Sequence, residues 1–279
     1  MIDLHCHMLP GIDDGAPDID VSLSMARMAF DDGIRITACT PHIMPGIYDN
    51  RGEDIRRAVG DLQRALDEAG IGLKVVCGAD AHLDSGLCEG LRSGRVPALN
   101  DTRYFLFEPP HHVAPPRLDH AAFDLMAAGY QPVLTHPERL TWIEGHYDLM
   151  RRLMRAGVWM QITAGSFTGR FGRRPRYWAE RMVDEGLVHI IATDAHDLKK
   201  RPPLLAEARE AVTERVGEEE ADHMVRTRPQ GILDNAPPAS LPPALSDGKV
   251  EERRKSGLEG LLAQFGFGRS SANQHGSYR

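Results

Sequence analysis

The sequence predicts an α/β fold, a distorted (β/α)7 relative of the TIM barrel, and three observations lead there. Seven short apolar runs look like strands buried on both faces. Helical stripes that stop at glycine lie between most of them. Nine candidate metal-binding residues, all His, Asp or Glu, recur at or just after the ends of those runs. A closed parallel barrel gathers the C-terminal ends of its strands round one pocket, whereas an open sheet spreads them along an edge. The ligand pattern therefore favours closure.

The first strand is expected at Ile2–Cys6. Val21, Met25, Met28 and Ala29 then share one helical face, stopped by Gly33. The second strand, Ile34–Cys39, leads to a stripe of Ile55, Val59, Leu62 and Leu66 that ends at Gly70. Strands follow at Leu73–Cys77 and Tyr104–Phe107, and a helix through Leu118, Ala122, Leu125 and Met126 runs to Gly129. Pro132–Thr135 is the fifth strand, with Leu149, Leu153 and Met154 leading to Gly157. Val158–Ile162 is the sixth, with Trp178, Met182 and Val183 leading to Gly186, and Val188–Ala192 is the seventh. Leu204–Val225 is charged and helical in pattern. The barrel is expected over residues 1–235. From Ala236 the chain turns to proline and small residues, which predicts a flexible linker and tail over 236–279. Lys249–Lys255 is mostly charge, and Leu258, Leu261, Leu262, Phe265 and Phe267 form a short apolar patch that could dock.

Bulk composition removes several classes of function. The 279 residues are 42% hydrophobic and 26% charged, as in ordinary globular proteins. A formal charge of −7, from Lys+Arg 33 against Asp+Glu 40, argues against a nucleic-acid partner. No apolar run reaches transmembrane length, so no membrane insertion is expected. The opening MIDLHCHMLP lacks a basic region followed by an apolar stretch, and the four cysteines form no C-x-x-C pair. A cytoplasmic, reducing setting is expected.

The chemistry lies at the strand ends. His5-Cys6-His7 is an H-x-H whose period-two geometry aims both imidazoles to one side. Asp13 and Asp14 follow in a turn, and of the two Asp14 is the candidate ligand. His42 follows the second strand, Asp80 the third, Glu108 the fourth and His136 the fifth. Asp194-Ala195-His196 after the seventh is a second same-face pair. Any one of these could be structural, but a charge capping each of six apolar runs is costly without a partner. Five imidazoles and four carboxylates exceed the needs of one octahedral ion and suit two or three. Without thiolates, Mn²⁺, Fe²⁺, Mg²⁺ and Zn²⁺ are all compatible. Arg139 and Arg201 stand close behind His136 and His196, placed to take phosphate charge. The Gly-rich basic stretch Gly165–Arg174 is either a mobile lip or a solvated helix start. His111 and His112, just past Glu108, either line the pocket mouth or are surface loop residues, and Asp13, Glu138, His82, His120, His146, His189 and His223 receive no role. No Cys-x5-Arg, G-x-S-x-G or G-x-x-x-x-G-K-[ST] signature is present.

The run His5-Cys6-His7-Met8-Leu9-Pro10-Gly11-Ile12-Asp13-Asp14-Gly15, with Thr40-Pro41-His42, His136-Pro137-Glu138-Arg139, Ala164-Gly165-Ser166, Gly169-Arg170-Phe171-Gly172 and Asp194-Ala195-His196, resembles the PHP (polymerase and histidinol phosphatase) superfamily. Within it the chain is most similar to bacterial manganese-dependent protein-tyrosine phosphatases of capsule and exopolysaccharide operons. The resemblance covers about residues 1–215. It implies a (β/α)7 barrel of the PHP fold with a trinuclear site. His5, His7, Asp80 and Asp194 would hold one ion, Asp80, Glu108 and His136 the second, and Asp14, His42 and His196 the third. Arg139 and Arg201 would contact the phosphate. The implied substrate is phosphotyrosine on a bacterial tyrosine autokinase. Asp80 departs from the pattern, which usually carries the longer Glu there. Two other readings stand beside this one: a phosphatase for a small metabolite such as histidinol phosphate, and an inactive metal-binding scaffold.

Overall fold

The computed structural model describes residues 1–245, and the charged run and apolar patch expected further on lie outside them. The strands are β1 (Ile2–Cys6), β2 (Ile36–Cys39), β3 (His42–Ile43), β4 (Lys74–Cys77), β5 (Asp80–His82), β6 (Tyr104–Glu108), β7 (Gln131–Thr135), β8 (Trp159–Thr163) and β9 (Ile190–Ala192). All paired strands are parallel, in the orders β1-β2-β4 and β3-β5-β6-β7-β8-β9. Each of the seven expected strands is present, and two are broken in the middle. Pro41, which has no N–H, separates β2 from β3, and Gly78-Ala79 separates β4 from β5. The bonds Gly78 N–H to Cys39 O (3.0 Å) and Asp80 N–H to Pro41 O (3.2 Å) carry the pairing across the breaks. The two sheets are thus lower and upper parts of one succession of staves.

The ring comes round from β9 to β1 without a full ladder. Cys6 and Ala195 form an isolated parallel bridge, with Asp194 N–H on His5 O at 2.7 Å and His7 N–H on Ala195 O at 2.8 Å. Below it a side chain replaces the missing ladder. The buried Asp3 carboxylate accepts from Thr193 N–H at 2.9 Å and from the Thr193 hydroxyl at 2.5 Å. Burial pushes the Asp3 carboxyl up to about 6, against the hydrogen bonds from Thr193.

Ten helices accompany these strands among the described residues: α1 (Ile19–Asp31), α2 (Gly52–Glu68), α3 (Leu87–Arg92), α4 (Leu118–Ala127), α5 (Ile143–Arg155), α6 (Ala164–Phe167), α7 (Arg173–Asp184), α8 (Ala206–Val216), α9 (Glu218–Asp222) and α10 (Arg228–Leu233). None is long and apolar enough to cross a membrane. Five of them end in the same glycine cap. The residue after the glycine donates back five positions: Ile34 to Ala29, Ile71 to Leu66, Tyr130 to Leu125, Val158 to Leu153 and Leu187 to Met182. This is the Schellman arrangement, and it needs the left-handed backbone seen at Gly33 (φ 93°) and Gly157 (φ 104°). It also corrects two strand starts. Ile34 and Val158 are the last residues of helix caps, and the ladders begin at Ile36 and Trp159.

Two apolar layers follow from the alternation. Leu4, Ala38, Val76, Leu106, Val133 and Ile190 fill the inside, and the helices pack on the outside. The register of β1 on β2 shifts between Asp3 and Cys6. That irregularity lets Leu4 join the inner layer while His5 and His7 both face the site. The opposite end is closed by α10 and the segment after it. Arg228, fully buried, donates to Glu220 (2.8 Å), His189 O (3.1 Å), Pro242 O (2.8 Å) and Pro243 O (2.6 Å). Residues 236–245, expected to be loose linker, are therefore tied to the barrel floor, helped by Tyr104 O–H on Ala236 O at 2.8 Å.

Candidate metal centre

All nine expected donors meet at the C-terminal ends of the strands. His5 is the penultimate residue of β1, His42 opens β3, Asp80 opens β5 and Glu108 closes β6. His136 and Asp194 follow β7 and β9 directly or within two residues, and both take a left-handed backbone (φ 35° and 50°). Such conformations cost energy for non-glycine residues and gather at functional sites. Backbone hydrogen bonding of Asp194 to His5 holds one of them in place.

The donors stand at separations that suit shared cations better than hydrogen bonds. His5 Nε2 is 3.2 Å from His7 Nε2, 3.5 Å from Asp80 Oδ2 and 3.4 Å from Asp194 Oδ1. His7 Nε2 is 3.4 Å from Asp194 Oδ1. Asp14 Oδ1 lies 3.5 Å from His42 Nε2 and 3.3 Å from His196 Nε2. His136 Nε2 lies 3.5 Å from Glu108 Oε1 and 4.0 Å from Asp80 Oδ2. Ligands about 2.1 Å from one ion sit roughly 3.0–3.4 Å from each other. Both oxygens of buried Asp80, with His42 Nδ1 and His196 Nε2, have no hydrogen-bond partner. Buried polar atoms left unpaired are costly, so this donor set fits divalent cations.

Outer partners fix the imidazoles. His7 Nδ1 meets Asp13 Oδ2 at 2.7 Å, His5 Nδ1 meets Gln161 Oε1 at 2.9 Å and His196 Nδ1 meets Asp194 O at 3.0 Å. Each partner accepts, so each Nδ1 carries the proton and each Nε2 lone pair faces the cluster. Asp13 and Gln161 received no role from the sequence. Gln161 did leave a signal there, as a polar residue inside an apolar strand.

Charge at the site is concentrated on Asp194. Burial pushes its carboxyl up, but Arg201, His5 and Arg139 outweigh this and hold it well below the usual carboxylate range. Arg201 donates to Asp194 Oδ2 at 2.6 Å, and Arg139 bonds the same oxygen. The Arg139 guanidinium also stacks over Phe171, 4.5 Å from the ring centre. Burial, with His7 next to it, lowers His196 to about 4.

The structure decides between open readings at two loops and gives Glu138 a role. His111 belongs to the cluster rather than to a free surface loop, since its Nε2 is 3.3 Å from Glu108 Oε1 and its ring 5.0 Å from that of His136. Gly165–Arg174 is folded into α6, a tight turn and the start of α7, and Arg174 caps Leu140 O and Thr141 O instead of facing a substrate. Buried Glu138 is structural, accepting from Thr163 N–H at 3.0 Å and Ser166 O–H at 2.7 Å to anchor α6.

Residues 1–234 match the family described as capsular polysaccharide synthesis, CpsB/CapC. The chain belongs to the CpsB/CapC family. Among relatives of this CpsB/CapC chain, the tyrosine-protein phosphatase YwqE of Bacillus subtilis is 38% identical over 72% of the chain and 79% of its own length. The tyrosine-protein phosphatase CpsB of Streptococcus agalactiae is 28% identical over 84% of the chain and 99% of its own. A solved structure from work on YwqE of Bacillus subtilis and CpsB of Streptococcus pneumoniae, described as unique metal-dependent tyrosine phosphatases, superposes with a TM-score of 0.82. It is 35% identical and covers 85% of this chain and 96% of that one. An amidohydrolase from Mycoplasma synoviae, 14% identical with a TM-score of 0.52 over 92% of this chain and 94% of its own, shares the fold alone.

Proposed function

We propose that this CpsB/CapC chain is a metal-dependent protein-tyrosine phosphatase that acts in the cytoplasm on a phosphotyrosine protein, a bacterial tyrosine autokinase of capsule or exopolysaccharide synthesis. One observation carries the reading: nine nitrogen and oxygen donors converge with two arginines on one end of the barrel. The relatives' names support phosphotyrosine as the substrate class. His5, His7, Asp80 and Asp194 would hold one divalent ion, Asp80, Glu108 and His136 a second, and Asp14, His42 and His196 a third, with Mn²⁺ the working ion. Such ions, when bound, supply an activated water near neutral pH and neutralise phosphate charge.

The chain's own groups do the rest. Arg139 and Arg201, partly exposed and both bonded to Asp194 Oδ2, would bind two phosphoryl oxygens and orient the ester. Asp13 and Gln161 keep His7 and His5 aimed. Tyr48, its ring stacked on His42 at 5.5 Å and 20°, offers a wall for an aromatic substrate. Cys6, Cys39 and Cys77 are not poised as nucleophiles: burial raises the thiols of Cys6 and Cys39 far above neutrality and that of Cys77 up to about 12. A phenolate with a pKa of about 10 leaves far more readily than an alkoxide, so an acid donor is dispensable.

Phosphotyrosine peptide, phosphoserine peptide and histidinol phosphate, compared by kcat/KM with Mn²⁺ present, test this. Preference for the phosphotyrosine peptide is expected. Preference for histidinol phosphate would move the chain to small-metabolite chemistry, and no turnover of any of the three would make it a scaffold.

A further inference from the structure

We propose that His111 is a ligand of the cation held by Glu108 and His136. The inference rests on reading the cluster as a metal centre and adds a donor to it. His111, Glu108 and His136 each present one donor atom, and the three lie within 4.8 Å of one another. His111 Nε2 and His136 Nε2 approach the same atom, Glu108 Oε1, at 3.3 and 3.5 Å. A direct imidazole–carboxylate hydrogen bond in this structure is far shorter, 2.7 Å between His7 and Asp13. The longer pair matches two edges of a coordination shell about 2.1 Å in radius, where neighbouring ligands are roughly 3.0–3.4 Å apart.

Two further observations support the placement. The loop carrying His111 is pinned: Thr141 N–H and O–H both donate to His111 O at 3.0 Å, and Trp142 Nε1–H donates to Pro110 O at 2.9 Å. The backbone at His111 is thus held at the rim before any ion arrives. Asp80, in contrast, stands 4.0 Å from His136 Nε2, farther than Glu108 Oε1 at 3.5 Å, so of the two carboxylates it reaches this ion less well. His111 supplies a donor on the side where that carboxylate falls short.

The test is calorimetric titration of the metal-free full chain with MnCl2, comparing wild type, H111A, H111Q and H112A. Wild type is expected to bind more than one ion. One class of site should weaken tenfold or more in H111A and H111Q, with the others unchanged. H112A, at the exposed neighbour, should match wild type. Isotherms of H111A and H111Q that match wild type would overturn the assignment. A wild-type chain that takes up no Mn²⁺ would instead remove the metal-centre reading beneath it.

Discussion

Arg201 meets Asp194 on the far side of its carboxylate: the guanidinium holds Oδ2 at 2.6 Å while Oδ1 faces His5 and His7 at 3.4 Å. One buried carboxylate therefore joins the cation cluster to the groups proposed to bind phosphate. Replacing Arg201 with Lys keeps the charge and loses the planar fork. R201K should lower kcat/KM for a phosphotyrosine peptide about 100-fold, or ~2.7 kcal/mol. Bound metal, measured by elemental analysis, should stay at the wild-type level. A variant as active as wild type would show that Arg201 only braces Asp194.

Asp80 has both oxygens buried and unpaired, with His5 and His42 each 3.5 Å from Oδ2. Asp80→Asn removes the charge and keeps the shape. Elemental analysis should show it losing at least one ion per chain, while Asp80→Glu keeps full occupancy. Equal metal content in D80N and wild type would place the carboxylate outside the coordination shell.

Tyr48 tests the aromatic wall. An aromatic contact is worth about 0.5–1.5 kcal/mol, so Tyr48→Ala should raise KM for phosphotyrosine peptide up to about tenfold with little change in kcat. Tyr48→Phe should behave as wild type, and inhibition by inorganic phosphate, which has no ring, should not change. A parallel loss of phosphate inhibition in Tyr48→Ala would show that the ring only props His42.

Stability is expected to depend on the barrel floor. Arg228 and Glu220 form a buried pair, and Arg228→Met leaves the Glu220 carboxylate with only its 3.4 Å contact to His223 Nδ1. The loss should be about 3–5 kcal/mol, seen as a melting temperature lower by roughly 10 °C. Activity per folded molecule should be unchanged. A melting temperature within a degree of wild type would mean the clamp is not formed.

His189 sets part of the acid limit. It stacks on Trp159 at 4.9 Å, and its Nδ1 accepts from Met160 N–H at 3.2 Å, so protonation there breaks a buried bond. Burial, and then Arg228, lower its pKa from 6.5 to about 3. The unfolded chain takes up this proton first, so stability is complete above pH 6.5 and declines as pH falls toward 3. His189→Asn, which can still accept the Met160 bond, should lose less stability than wild type between those limits in denaturant titrations at several pH values. Parallel curves would remove His189 from the account.

Much of this was legible in the sequence because strand ends carry the chemistry. Period-two placement of His5 and His7 and the apolar runs before Glu108 and Asp194 located nine donors without a contact map. At His111 the sequence left pocket mouth and surface loop both open, because its loop is placed by hydrogen bonds from Thr141 and Trp142, thirty or more residues on. Strand starts were misjudged at Ile34 and Val158, since an apolar residue after a cap glycine serves a helix as well as a strand. The first residues beyond Ala236 looked loose by composition, and buried Arg228, 14 and 15 residues before Pro242 and Pro243, holds them.

The central claim is that divalent cations held by these donors, and no side-chain nucleophile, drive the hydrolysis. Phosphotyrosine-peptide turnover of the wild type and of His136→Ala, measured after chelation and again after addition of MnCl2, tests it most directly. The account predicts wild-type activity that disappears on chelation and returns with Mn²⁺, and a folded His136→Ala that stays inactive throughout. Turnover that survives chelation, or an active His136→Ala, would contradict it.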